Sequence, residues 1–447
     1  MQAKSETIRR LLDLESRDAV RISALVQEPG SEFLAVDAEA ELWPAASRPE
    51  IADAGDGASA ALAEKQQDVS EVSGETAPFT VLTERLRDEN YGAFAQTLQL
   101  PESKTPPLLQ LDALRRPMTK TVINVAALDH RQLIPIYVER QLRSSSFVEI
   151  NLAPNADARV LFVEVPDMAE GREAPEAADE GTEEAGGTDR SLPAVYLNMN
   201  LADGARLEVA AVHDFRRFDP ETGEIRPAKK AKVAKLSRPS TELEDRPIYL
   251  YLGNVGRDAT FKWLSVNLEE SIHEYGVVRL MEQGASGQTY TASYVPPQQI
   301  QHYQVNIEHE APYTDSVVQS HGVADENSEG RFIARGRIHK GANGTTCEQT
   351  SRYITLDDSS RAFVDPLLVI DEFDVKAGHA GSSGQIDKAA LFYLQTRGIG
   401  QEQAERLITQ GFLKPLIDHL ALDQARQLAL QILHNESGGD PLDTDAS

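Results

Sequence analysis

Two residues stand out for the chemistry of their side chains: His379, an imidazole that can ligate a metal, and Cys347, a thiol. A neutral imidazole is a good ligand for iron or zinc, and histidine replaces cysteine in some clusters. His379 stands in Gly378-His379-Ala380, just ahead of a change in hydrophobic periodicity. Its competing role is a hydrogen-bonding cap. Cys347 is the single thiol, in Gly344-Thr345-Thr346-Cys347-Glu348-Gln349. One cysteine excludes an internal disulfide framework and any four-cysteine metal or cluster site within one chain. A lone cysteine in a β run is read as a small buried hydrophobe. His302, His309, His321 and His339 lie in the same region. His302 and His309 are seven positions apart, so within one strand they face opposite sides and do not form a metal pair. No HExxH, Walker A or GxGxxG pattern occurs, so neither an ATPase nor a dinucleotide site is expected. Gly253-Asn254-Val255-Gly256 and Gly284-Ala285-Ser286-Gly287 open no helix and are read as corners.

The elements around these residues are mostly strands. From Thr119 short β-rich runs alternate with Gly, Asn, Asp and Ser clusters. They include Thr121–Val125, Leu133–Val138, Phe147–Leu152, Arg159–Val165, Ala194–Leu201 and Arg206–Val212. A steadier series follows: Ile248–Leu252, Thr260–Asn267, His273–Met281, Gln288–Tyr294, Tyr303–Glu308, Thr314–His321, Arg331–Ile338, Thr345–Thr355 and Pro366–Phe373. Equivalent turns recur roughly every 25–30 residues, a period associated with solenoids. Asn343-Gly344 is the one hairpin-type dipeptide of that kind, which disfavours an antiparallel sandwich. The expected fold is therefore mainly β, a right-handed parallel β-helix over 117–384, with loops at 166–192 and 219–245.

Beyond Gln385 the period becomes helical. Asp387 is a suitable N-cap and Gly398 a suitable stop. Apolar faces follow at Ala404, Leu407, Ile408, Gly411 and Phe412, then Leu413, Leu416, Ile417 and Leu420, then Ala425, Leu428, Ala429, Ile432 and Leu433. These predict a small helical bundle over 385–436 and a disordered tail at 437–447. Residues 1–116 are read as a helical, variable region, with helices at Thr7–Leu14 and Phe79–Leu100 and a linker at Pro101–Pro107. Residues 44–76, rich in Ala, Gly, Ser, Asp and Glu, are expected to be a flexible insertion.

The 447 residues carry 44 basic and 71 acidic side chains, a formal net charge of −27. Nucleic-acid binding draws on Lys and Arg, so this balance opposes it. Lys229, Lys230, Lys232 and Lys235 lack interleaved aromatics and read as a solvated loop. A polar N-terminus and the lack of a long apolar run predict neither a signal peptide nor a membrane span, and so a cytoplasmic protein.

Several motifs carry a family resemblance from about Arg246 to Leu420, fading over Pro117–Asp245. They are Gly336-Arg337-Ile338-His339-Lys340-Gly341-Ala342, Ser360-Arg361-Ala362, Asp365-Pro366-Leu367-Leu368-Val369-Ile370, Gly378-His379-Ala380, Gly384-Gln385-Ile386-Asp387 and Leu391-Phe392-Tyr393-Leu394-Gln395-Thr396-Arg397-Gly398-Ile399. In order and spacing these resemble the SufB/SufD family of iron–sulfur cluster assembly scaffolds, and the run Gly378–Asp387 looks like the SufD version. The resemblance implies a non-catalytic scaffold that pairs with a SufB-like subunit, or with itself when alone. It also implies docking of a SufC-type ATPase on the C-terminal helices, at Leu391, Phe392, Tyr393, Arg397, Gly398 and Phe412. His379 would help hold a transient iron–sulfur cluster with a cysteine of the partner, and no permanently bound cofactor is expected. Cys347 matches no family motif. The alternative from the fold alone is a carbohydrate-active lyase or hydrolase, which needs paired carboxylates; none stands out.

Overall fold

The structure, a computed structural model, describes residues 20–23, 79–86, 118–128, 132–139, 145–165, 194–213, 248–268 and 271–420, with positions 426, 429, 430 and 433. Its strands in chain order are β1 Val20–Ser23, β2 Phe79–Leu86, β3 Met118–Val125, β4 Gln132–Glu139, β5 Ser145–Leu152 and β6 Asp157–Val165. Next come β7 Ala194–Leu201, β8 Arg206–His213, β9 Ile248–Val255, β10 Thr260–Asn267, β11 Ile272–Leu280 and β12 Ser286–Val295. The series ends with β13 Ile300–His309, β14 Asp315–Ala324, β15 Glu329–Ile338, β16 Thr345–Thr355, β17 Arg361–Ile370 and β18 Val375–Gln385. Two helices follow, α1 Lys388–Thr396 and α2 Gln401–Ile417.

The strands form two nine-stranded sheets. Sheet A runs β1-β4-β6-β8-β10-β12-β14-β16-β18 and sheet B runs β17-β15-β13-β11-β9-β7-β5-β3-β2. From β3 onward the chain alternates between sheets, and each strand pairs in parallel with the strand two places ahead. This is a parallel β-helix-like arrangement with no closed barrel. Each strand buries its inner side chains against the facing sheet and its backbone against the next coil.

The corners explain how the chain turns without losing register. Asn155, Gly204, Asp258 and Gly284 all adopt positive φ, a conformation open to Gly and tolerated by Asn and Asp. Each precedes a fully buried alanine: Ala156, Ala205, Ala259 and Ala285. Corners also bond to their neighbours, as in Asn155 N to Asp203 O at 2.9 Å and Gly204 N to Arg257 O at 2.8 Å. On sheet B an asparagine ladder repeats the stitch with side chains. Asn151 Nδ2 donates to Asn124 Oδ1 at 3.0 Å, Asn200 to Asn151 at 2.8 Å and Asn254 to Asn200 at 2.8 Å.

The core between the sheets is filled by Trp263, Tyr251, Tyr303, Phe162, Phe261 and Phe332 among others. Each such side chain contributes roughly 1.5–3 kcal/mol when fully buried. A second cluster lies on the outer face of sheet A. There Leu413, Leu416, Ile417, Leu420, Ala429 and Leu433 cover Leu264, Val266, Ala292 and Val323. Strands β8, β10 and β12 are accordingly buried on both faces near their ends, whereas β15 and β16 alternate strictly.

Two expectations change. Phe79–Leu86 is not helical: it is strand β2, antiparallel to β3 with Val81 opposite Ile123. The helical region expected after Gln385 packs through α2 against sheet A. Finally, Ala404–Leu420 is not two apolar segments. One 17-residue helix spans Gln401–Ile417, with Leu407 turned outward at 45% exposure. Thr7–Leu14, the insertion 44–76, the loops 166–192 and 219–245, residues 87–116 and the tail 437–447 lie outside the described residues. No described helix is long and apolar enough to cross a membrane.

Candidate functional site

The coil ends in two edge strands. β17 pairs only with β15 and β18 only with β16, one closing each sheet. Pro366 sits on β17, and an edge strand tolerates a residue with no N–H to donate. Strand β18 reads VKAGHAGSSGQ; Val375 is half-buried and every later residue is exposed. Phe363, Leu367 and Ile370 of β17 are also exposed, and Phe373 in the connecting turn is wholly so. Such an apolar, unpaired rim is a ready template for another chain.

His379 occupies the centre of β18. Its register partner is Gln349, which is buried and in turn pairs with Val318 of β14. Partners in a parallel ladder share a face, so His379 ends an inner file of the coil while being itself exposed. The imidazole is thereby held by strand geometry on the open rim.

Cys347 takes the opposite situation. It is fully buried, packed with Ile338 and Ala342 and against Leu368 and Val375. Gly336 makes room for it: a Cβ there would lie 2.6 Å from the sulfur and 2.9 Å from Gln349 Nε2. Burial pushes the Cys347 thiol upward, and the Ser316 hydroxyl opposes this. A protonated, enclosed thiol is a poor nucleophile, in line with its reading as a small hydrophobe.

The other histidines of the coil are engaged. His302 Nε2 lies 3.0 Å from Glu329 Oε1, and His339 Nε2 lies 2.8 Å from Glu308 Oε2. His309 sits between the hydroxyls of Thr314 at 2.8 Å and Ser316 at 2.9 Å, and burial drives its pKa down to about 4. His321 Nδ1 donates to the Phe412 carbonyl at 2.8 Å. As expected from their spacing, His302 and His309 point apart, one half-exposed and one buried. Among the described residues no three His, Cys, Asp or Glu converge as a metal site. Lys229–Lys235 lies outside the described residues.

Helix α1 begins and ends as its sequence dictates. Asp387 accepts from the Ala389 amide at 2.8 Å. Gly398 takes φ +86, with Gly398 N bonded to Gln395 O and Ile399 N to Leu394 O, a Schellman stop. α1 buries none of its residues. Phe392 is 66% and Tyr393 56% exposed, and the Arg397 guanidinium lies over the Tyr393 ring at 5.2 Å. Leu391 is half-buried. Phe412 differs from these: it is half-buried in the seam between α2 and sheet A, its ring stacked on His321. The site features that sequence reasoning missed are strand β18 itself and the exposed Phe363, Leu367 and Phe373. Gly and Ser dominate β18, so no apolar alternation marked it.

Comparison with known proteins gives a consistent result. The family model described as SUF system FeS cluster assembly, SufBD core domain, matches residues 180–412. The iron–sulfur cluster assembly protein SufD of Bacillus subtilis (strain 168) is 32% identical over 183 residues, 40% of this chain and 42% of that protein. An iron–sulfur cluster assembly SufBD family protein of Mycobacterium tuberculosis (strain ATCC 25618 / H37Rv) is 28% identical over 173 residues, 38% of this chain and 20% of its own length. Another from Mycobacterium leprae (strain TN) is 39% identical over 100 residues, 22% and 26% respectively. The chain thus spans less than half the length of each of these relatives.

Proposed function

Because the chain belongs to the SufBD core family of SUF-system iron–sulfur cluster assembly proteins, we propose that it acts as a SufD-like, non-catalytic scaffold subunit in the cytoplasm. The observation that carries this reading is the open rim: β17 and β18 each leave one edge without a strand among the described residues, the rim is apolar in part, and it displays His379 at the end of an inner file. An unprotected edge of this kind calls for a covering strand. The occupant we assign is a SufB-like subunit, with a second copy of this chain as the competing outcome. In that complex the transient cluster is cargo, and His379 supplies an imidazole ligand beside a cysteine of the partner. The solvent-facing surface of α1, with Phe392, Tyr393 and Arg397, is assigned to a SufC-type ATPase.

The test is co-expression with a SufB-like subunit and a SufC-type ATPase, followed by co-purification and mass measurement. A stable complex that builds clusters, and that a polar replacement such as Leu367→Asp disrupts, supports the scaffold reading. A chain that stays monomeric in their presence contradicts it.

A further inference from the structure

One corner of the coil carries a side chain that its backbone disfavours. Asn155, Gly204, Asp258, Gly284, Tyr313 and Gly344 stand at the corners of successive coils, all with φ between +53 and +76. Their amides bond to the next corner in one repeated pattern. Asp258 N reaches Gln283 O at 3.1 Å, Tyr313 N reaches Asn343 O at 2.8 Å and Gly344 N reaches Asp374 O at 2.6 Å, as Asn155 and Gly204 do earlier. Gly, Asn and Asp suit that conformation, but for a bulky side chain it is an outlier. Burial does not account for the tyrosine, which is 59% exposed. A strained residue that packing does not demand is a sign of use outside the fold.

The next corner holds the ring in place. A Cβ on Gly344 would lie 2.5 Å from Tyr313 Cδ1 and 2.7 Å from Cε1, so the ring rests on the glycine backbone. Met281, one corner before Tyr313, and Phe373, two corners after it, are exposed as well. Corners advance by the strand spacing of about 4.8 Å, so the three side chains make an apolar ridge about 14 Å long down one side of the coil. Tyr, Phe and Met gathered on a surface mark interaction sites. Acidic residues flank this ridge: Asp258, Glu282, Glu310, Asp371 and Asp374, against Arg257 and Lys340 in the same corners. Arg257 lies 3.6 Å from Glu282, Arg279 lies 2.9 Å from Glu310 and Arg337 lies 3.7 Å from Asp371. Among the described residues no cation bridges Asp258 or Asp374.

We propose that the ridge of Met281, Tyr313 and Phe373 docks an extended, arginine-bearing segment of a partner protein. A guanidinium laid on the Tyr313 ring makes a cation–π contact, and its fork of N–H groups reaches the carboxylates on either side. Phe373 offers a second ring two corners further on. An extended chain rises about 3.3 Å per residue, so arginines three positions apart stand about 10 Å apart, the two-corner distance from Tyr313 to Phe373. Lysine lacks the planar group that stacks on a ring. An acidic segment meets like charge, and so does a second copy of a chain of net charge −27. The ridge uses neither edge strand, so the inference stands whether or not the rim pairs with a scaffold subunit.

The test titrates the full chain with a fluorescein-labelled Arg-Gly-Gly-Arg-Gly-Gly-Arg peptide, read by anisotropy, beside the same peptide with glutamate in place of arginine. The arginine peptide is expected to bind and to weaken as salt rises, and the glutamate peptide is expected not to bind. Tyr313→Asn suits the corner conformation, so it is expected to melt close to wild type while binding roughly ten-fold more weakly. Tyr313→Phe keeps the ring and is expected to keep the affinity. Met281→Ser reads the same ridge from another corner and is expected to weaken binding several-fold. Unchanged affinity in Tyr313→Asn and Met281→Ser overturns the proposal, and a lower melting temperature with unchanged affinity makes the ring a packing element only. A wild-type chain that ignores the arginine peptide, or binds the glutamate peptide as tightly, overturns it too. Self-association that Tyr313→Asn abolishes gives the ridge to a second copy and overturns it as well.

Discussion

His379 stands directly opposite Gln349 in the β16–β18 ladder, yet the histidine is exposed and the glutamine only 2% exposed. One coil step thus separates solvent from core. A side chain in that position can be changed without opening the interior, while whatever covers the rim meets it at once. The same relation fixes the contrast with Cys347, which lies two residues before Gln349 and is sealed beneath β18.

If the proposed SufC-type ATPase docks on α1, it should do so through Phe392 and Tyr393, which are 66% and 56% exposed. Replacing both with Asp should weaken binding by about 2 kcal/mol or more, roughly thirty-fold. Because α1 buries nothing, the melting temperature should stay within a degree or two of wild type, an order-of-magnitude expectation for surface changes. Titration of the partner by calorimetry reads the first quantity and thermal unfolding the second. Unchanged affinity sinks the docking assignment.

The asparagine ladder should matter more to stability than its half-buried position suggests. Asn200 both donates to Asn151 and accepts from Asn254. Asn200→Ala leaves both neighbours short of a partner, at a cost of about 1–3 kcal/mol. Denaturant unfolding of the variant measures this. A loss below a few tenths would show that water replaces the ladder freely.

Stability should fall in mild acid through His309. Its folded pKa is held down at about 4 by burial, against an ordinary 6.5. Between those values the unfolded chain binds the extra proton, so stability is fully present above pH 6.5 and declines as pH drops toward 4. The shift corresponds to a loss on the order of 3 kcal/mol. His321 and His419 are displaced in the same direction by burial and add to the slope. Melting curves at neutral and mildly acidic pH should show a shallower decline for His309→Asn than for wild type. Equal declines would contradict the assignment.

Much of this fold is legible in the sequence because its strands advertise themselves. Arg331, Arg335 and Arg337 alternate with Phe332, Ala334, Gly336 and Ile338, with Ile333 the one apolar residue on the arginine face, and β15 alternates half-buried and buried in step. Asp387 and Gly398 cap α1 as their chemistry requires. What failed has physical reasons. Phe79–Leu86 carries Leu82 and Leu86 at helical spacing, but pairing with β3 outweighs so short a pattern. Strand β18 has too few apolar residues to read as a strand, since its conformation is imposed by the ladder to β16. Leu407 fits a helical stripe, yet which side of α2 is buried depends on where sheet A lies. The candidate site was legible only as single residues. The placement of His379 on an open rim with Phe363, Leu367 and Phe373 came from topology.

The most direct measurement compares His379→Ala and Cys347→Ala in the complex with a SufB-like subunit and a SufC-type ATPase, reading iron–sulfur absorbance and melting together. For His379→Ala the account predicts a strong drop in cluster yield, since a lost metal ligand is not replaced by packing. Its stability should change by no more than roughly 0.5 kcal/mol. Cys347→Ala should keep the cluster yield and lose some stability from the core. A His379→Ala complex that assembles clusters at the wild-type level contradicts the account.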